Sequence, residues 1–137
     1  MPPSGLQHEL AVAYALHPHD ALMRVLRLFT PKPMSGGKPA MATWLAEQIA
    51  GAGLARVLEL AGEPGRLILA AAAHGCPLRR IAGRASPGYR VGSWSDLAHP
   101  RHPPVRPDPL VLCFPDDLSM PEALRARLRP VLAAPPL

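Results

Sequence analysis

Apolar residues recur with helical spacing along much of this chain. The cleanest stripe is Leu22, Val25, Leu26 and Phe29, at i, i+3, i+4 and i+7, which predicts an amphipathic helix with Asp20 as its cap. Leu6–Leu16 can form a helix before it, broken at Pro18. Thr30–Pro39 holds three prolines and a glycine pair and reads as a linker. Met41–Ile49 returns to the helical pattern, with Trp44 and Leu45 inward. His99–Pro109 has five prolines in eleven residues and should be extended. Ser119-Met120-Pro121-Glu122 has capping-box spacing and opens a last helix, Ser119–Leu132. Leu124, Leu128 and Val131 would face inward there, and Pro130 should end or kink it.

The middle of the chain supports two patterns. Val57-Leu58-Glu59-Leu60 is a short apolar run, followed by a loop with Gly62, Pro64 and Gly65 and then the apolar segment Leu67–His74. That order fits a buried strand, a glycine turn and a helix whose N-terminus faces an anionic ligand. Pro109–Phe114 is a second run of successive apolar residues, as in strands covered on both faces. The same residues also fit helix–loop–helix. Leu54, Val57, Leu58 and Ala61 fall at i, i+3, i+4 and i+7, Gly62 can cap the first helix, and Pro64 can open the second. Short apolar runs are ambiguous by periodicity.

The order of these segments resembles the core of class I S-adenosylmethionine-dependent methyltransferases, truncated and with degenerate motifs. Val57-Leu58-Glu59-Leu60 is similar to the family's first strand, and Gly65 to the last glycine of its loop. Gly92, Asp96 and Leu97 match the family loop that contacts adenine. The resemblance covers Ala40–Leu132 and implies a partial Rossmann-like sheet, an α/β fold, with S-adenosylmethionine over Ala61–Gly65. Glu59, Ala61, Gly62, Gly65, Ser93 and Trp94 would be the cofactor-binding residues. Several positions depart from the family. Ala61 stands for the first glycine and Glu63 for the central one, and each Cβ obstructs close approach to a ligand. Leu78–Ile81 would be the second strand, but Ala82-Gly83-Arg84 lacks the acid that binds the ribose. In Phe114-Pro115-Asp116-Asp117 only Pro115 matches the catalytic motif of adenine-N6 enzymes. These departures predict weak or absent cofactor binding and no assignable catalytic residue.

Composition narrows the alternatives. The chain has 137 residues, enough for a real core but short for a complete methyltransferase sheet. Hydrophobic residues make up 48 %, which excludes a generically disordered chain. With aromatics at 4 %, the core must rest on Leu, Val, Ala and Ile. The net charge is +5, carried almost wholly by arginine, since only Lys32 and Lys38 are lysines. Together with abundant Ala, Pro and Gly and no asparagine, this bias resembles a GC-rich coding sequence. The positive charge is nonetheless concentrated in the middle. Arg79, Arg80 and Arg84 are the candidate nucleic-acid-binding residues, because clustered arginines contact phosphates.

Other constellations carry less chemistry. Cys76 and Cys113 are far apart, no secretory pattern opens the chain, and no apolar run approaches membrane-spanning length. These features predict free thiols, a cytoplasmic setting and no membrane association. His17-Pro18-His19-Asp20, with His74/Cys76 or His99/His102, has ligand residue types, but a helix break and a cap account for the first group, so no metal is predicted. Ser35-Gly36-Gly37-Lys38 lacks the full phosphate-loop pattern and reads as linker. Leu78–Leu97 partly resembles a helix-turn-helix, with Pro87 and Gly92 against it.

Two functions follow. One is a methyltransferase-like protein on an α/β domain over 40–137, preceded by a helical segment and linker over 1–39. The other is a non-catalytic basic module, mainly α, that binds DNA or a protein partner.

Overall fold

Leu6, Leu10 and Tyr14 recur every fourth residue, and this stripe forms the buried face of helix α1, Gly5–Tyr14. The computed structural model describes residues 5–30, 36–75, 94, 109–115 and 120–133. After α1 come α2 (His19–Leu26), α3 (Gly37–Ala50), α4 (Gly53–Ala73), a 3₁₀ turn η1 (Pro109–Cys113) and α5 (Glu122–Leu128). The described residues contain no strand. The fold there is helical, so the expected α/β, Rossmann-like sheet is corrected to the mainly α alternative.

The first three helices follow the sequence pattern closely. In α2, Leu22, Val25 and Leu26 are buried as the stripe requires, and Phe29 packs against the core just beyond. The residue at the N-cap is Pro18, with φ −60° and ψ 150°. Asp20 therefore lies in the first turn rather than at the cap, where its charge faces the positive end of the helix dipole. Helix α3 starts earlier than expected, taking in Gly37, Lys38 and Pro39 from the linker. Pro39 is tolerated because the first backbone N–H groups of a helix have no partner within it. Leu45 is fully buried. Trp44 is only half-buried, its ring edge-on to Phe29 at 6.3 Å. Helix α1 lies along α3, and α2 also contacts α3.

Helix α4 decides between the two patterns in the middle of the chain. Val57–Leu60, expected as a strand, is helical. Val57 is fully buried, and Leu54, Leu58 and Ala61 pack against the core beside it, which is the helical stripe. An i,i+3 ion pair between Arg56 and Glu59, 3.2 Å long, follows the same period on the outer face. The helix is broken at Gly62, whose φ of 66° and ψ of −174° lie in a region open essentially to glycine alone. Helical geometry resumes beyond it and runs to Ala73. The Arg66 Nε–H reaches back across the break to the Leu58 carbonyl at 3.0 Å, serving the end of the first segment.

The second expected strand, Leu110–Phe114 within Pro109–Phe114, is also corrected. Its burial is as expected, since every residue from Pro109 to Pro115 is buried. Its backbone instead turns as a 3₁₀ helix. Prolines at both ends of the run limit ladder pairing, and a single tight turn buries the same side chains. The expected strand at Leu78–Ile81 lies outside the described residues. The last helix is shorter than its sequence pattern. It begins at Glu122 after an N-cap at Pro121, and Leu124 and Leu128 are buried, but Val131 is exposed beyond its end.

One hydrophobic cluster runs through all of these elements, from Leu6 to Leu128, and includes Trp94 and η1. Helix α4 links it together by contacting α3, η1 and α5.

Candidate partner-binding surfaces

Of the residues expected to hold a cofactor, Glu59, Ala61, Gly62 and Gly65 share α4, while Trp94 packs against η1. Gly65 is buried, and a Cβ built on it would lie 2.6 Å from the Ala61 Cβ and 3.6 Å from both Leu110 methyl carbons. The space beside this glycine is thus occupied by Ala61 and η1. Gly62 shapes the break in α4, and Glu59 is exposed and paired with Arg56. Trp94 meets η1 at Val111. It is 1 % exposed, and its Nε1–H donates to the Val111 carbonyl at 3.0 Å. The imidazole of His17 stacks on the indole at 4.1 Å with planes 6° apart, and Tyr14 lies at 5.7 Å, tilted by 43°. An adenine against Trp94 would have to displace His17. The Rossmann-like methyltransferase expectation is corrected because the described residues are helical and hold no strand. Ser93, Arg79, Arg80 and Arg84 lie outside the described residues, as does the helix-turn-helix resemblance apart from Trp94.

The sequence gives little warning of how η1 is held. Tyr14 donates its hydroxyl to the Leu112 carbonyl. His17 Nε2 lies 2.6 Å from the Pro115 carbonyl oxygen, so that nitrogen carries the proton. Tyr14 and His17 thus take carbonyls 98 residues away, and Trp94 takes one 17 residues away. Burial pushes the Tyr14 phenol well above its usual ionisation range, and the neighbouring Cys113 thiol adds to the shift. A neutral, fully buried phenol is a fixed hydrogen-bond donor here.

Polar side chains also secure the helix ends. The Arg129 Nε–H donates to the Ala73 carbonyl at 2.8 Å, and its Nη2 pairs with Glu122 at 2.9 Å. Arg127 donates to the Ala50 carbonyl. His74 Nε2 donates to the Leu132 carbonyl at 2.7 Å. The two arginines thus close the C-terminal ends of α3 and α4, where carbonyls lack partners within the helix, while His74 ties the end of α4 to the chain beyond α5.

Cys76, His99 and His102 lie outside the described residues, and the remaining candidate metal ligands serve other contacts. His17 is on Trp94 and Pro115, His19 lies 3.8 Å from Asp20, and His74 is at the end of α4. Among the described residues no three His, Cys, Asp or Glu side chains form a group that could hold a metal. Gly36 and Gly37 have φ of 103° and 70° and start α3. No helix among the described residues is long and apolar enough to cross a membrane.

Open surface remains along α3. Gly36, Pro39, Ala40, Thr43, Trp44 and Glu47 line a groove of about 530 Å³ on the side of the helix away from its buried stripe. Sequence periodicity placed Trp44 inward, and it does pack against the core, but half-buried, so that it also lines this groove. Its exposure arises because Met41, Ala42, Leu45, Ala46 and Ile49 already fill the buried face.

No protein-family model, curated protein or solved structure matches this chain.

Proposed function

We propose that this chain is a non-catalytic helical module that binds nucleic acid through its arginine-rich middle. Residues 76–108 contain Arg79, Arg80, Arg84, Arg90, Arg101 and Arg106, against only Asp96 and Asp108. Most of the chain's net positive charge lies in this stretch. The observation that carries the proposal is that the stretch is joined to the buried core on both flanks and within. Ala73, at the end of α4, is buried before it, Trp94 is buried inside it, and Pro109 is buried after it. A basic segment joined to a folded core at several points loses less freedom on binding than a free tail.

Arginine contacts to phosphate release counterions, so affinity should fall steeply with salt. Filter binding of the full chain to DNA across a salt series measures this directly. The expected result is retention at low salt and a steep loss as salt rises. Replacing Arg79, Arg80 and Arg84 together by Ala should weaken binding and flatten the log–log slope by about 2–3, close to one per lost phosphate contact. Negligible retention at low salt overturns the proposal. So does a triple variant with unchanged affinity and slope.

A further inference from the structure

We infer that the groove along α3 receives an arginine side chain from a partner protein, stacked on Trp44 and paired with Glu47. This surface is separate from the arginine-rich stretch, and its binding does not depend on nucleic acid.

Three observations point to that occupant. Trp44 and Glu47 are three residues apart on one helix, so their side chains share a face. Both line the groove, and Glu47 is its one acidic group among lining residues that are otherwise neutral. The exposed Glu59 and Glu122 are already matched to Arg56 and Arg129, and Glu9 and Glu63, exposed and unpaired among the described residues, do not line this groove. Glu47 has no ion-pair or hydrogen-bond partner among the described residues.

The second observation is that the aromatic wall is held in place. Trp44 is half-buried, and Phe29 meets it edge-on at 6.3 Å with planes 75° apart. A ring fixed from one side loses little freedom when a ligand covers another.

Third, the remaining lining suits the stem of a long basic side chain. Pro39, Ala40 and the methyl of Thr43 offer apolar surface for methylene groups. Arginine fits this combination better than lysine. Its planar guanidinium stacks on an indole while its N–H groups pair with a carboxylate. A neutral or acidic side chain would leave the Glu47 charge unmatched or opposed.

The test uses the full chain and the peptide Ac-Ala-Leu-Arg-Leu-Ala-NH2, with a counterpart in which citrulline replaces arginine. Citrulline keeps nearly the same shape and removes the charge. Nitrogen–proton correlation spectra follow the two indole N–H signals, with Trp44→Phe identifying that of Trp44. The expected result is a saturable shift of the Trp44 signal with the arginine peptide, while the buried Trp94 signal stays in place. Glu47→Gln, a surface change that leaves the helix intact, should raise the dissociation constant about threefold, the scale of an exposed ion pair. Equal shifts from the arginine and citrulline peptides overturn the inference, because the groove would then be reading shape without charge. No shift at millimolar peptide overturns it as well, as does an unchanged affinity in Glu47→Gln.

Discussion

The imidazole of His17 lies flat on the indole of Trp94, 4.1 Å away, and the two rings hold opposite parts of one buried turn. Trp94 donates to the Val111 carbonyl, and His17 donates to that of Pro115. Replacing Trp94 by Ala should cost about 3–5 kcal/mol, as for other fully buried large aromatics. Trp94→Phe keeps a ring for His17 to stack on but removes the Nε1–H, and should cost a smaller amount, about 1–3 kcal/mol. Urea unfolding followed by circular dichroism gives both values. Equal costs for the two variants would mean that the hydrogen bond, and not the packing, dominates at this position.

Tyr14 makes stability depend on pH at the alkaline end. Its phenol ionises well above the ordinary 10.0 in the folded chain, because burial opposes the charge. In the unfolded chain it ionises near the ordinary value. Between the two, the unfolded state binds fewer protons, so stability must fall as pH rises. The stabilisation is fully present below the unfolded value and is lost progressively above it. Tyr14→Phe should flatten this alkaline loss and cost about 1–3 kcal/mol at neutral pH, since the Leu112 carbonyl is left without that donor. Thermal unfolding from neutral pH to pH 11 checks both. A variant with the same alkaline slope as the parent would rule out Tyr14 as its source.

Two glycines at the break in α4 should respond to substitution for different reasons. Gly62→Ala places a side chain at φ 66° and ψ −174°, with an expected cost of about 1–3 kcal/mol from backbone strain. Gly65→Ala keeps an ordinary backbone but brings its Cβ to 2.6 Å from that of Ala61. Overpacking of this kind costs about 1–3 kcal/mol. Combining Gly65→Ala with Ala61→Gly should recover much of the loss, while Ala61→Gly should not rescue Gly62→Ala. Denaturation midpoints of the singles and doubles distinguish the two mechanisms.

Much of the helical framework was legible from periodicity. The stripes in α1 and α2 and the buried face of α3 are long enough to define a phase, and Leu124 and Leu128 mark the buried face of α5. The ambiguous parts were short. Val57–Leu60 and Leu110–Phe114 are apolar at successive positions, which is compatible with strand, helix or buried turn alike. What separates these states is the partner for the backbone groups, which lies within α4 itself for Val57–Leu60 and as far away as Tyr14 for η1. Tyr14 and Trp94 serve η1, and no periodicity carries information about such pairings. The expected Rossmann-like sheet failed for the same reason, because segment order survives whether or not a sheet is present. At α4, Gly62 and Pro64 were informative residues, since one accommodates a break and the other suits a new first turn. The groove beside Trp44 was not legible, because an aromatic residue next to a buried stripe reads equally well as core.

Arg127 and Arg129 add a temporal side to this architecture. Arg127 follows Ala50, whose carbonyl it caps, by 77 residues, and Arg129 follows Ala73 by 56. During synthesis, α3 and α4 leave the ribosome well before these arginines have been translated. Their C-terminal carbonyls must rely on water until α5 emerges. Capping of both helix ends is therefore tied to the last stretch of described chain, and a stalled or shortened product lacks both arginine caps at once.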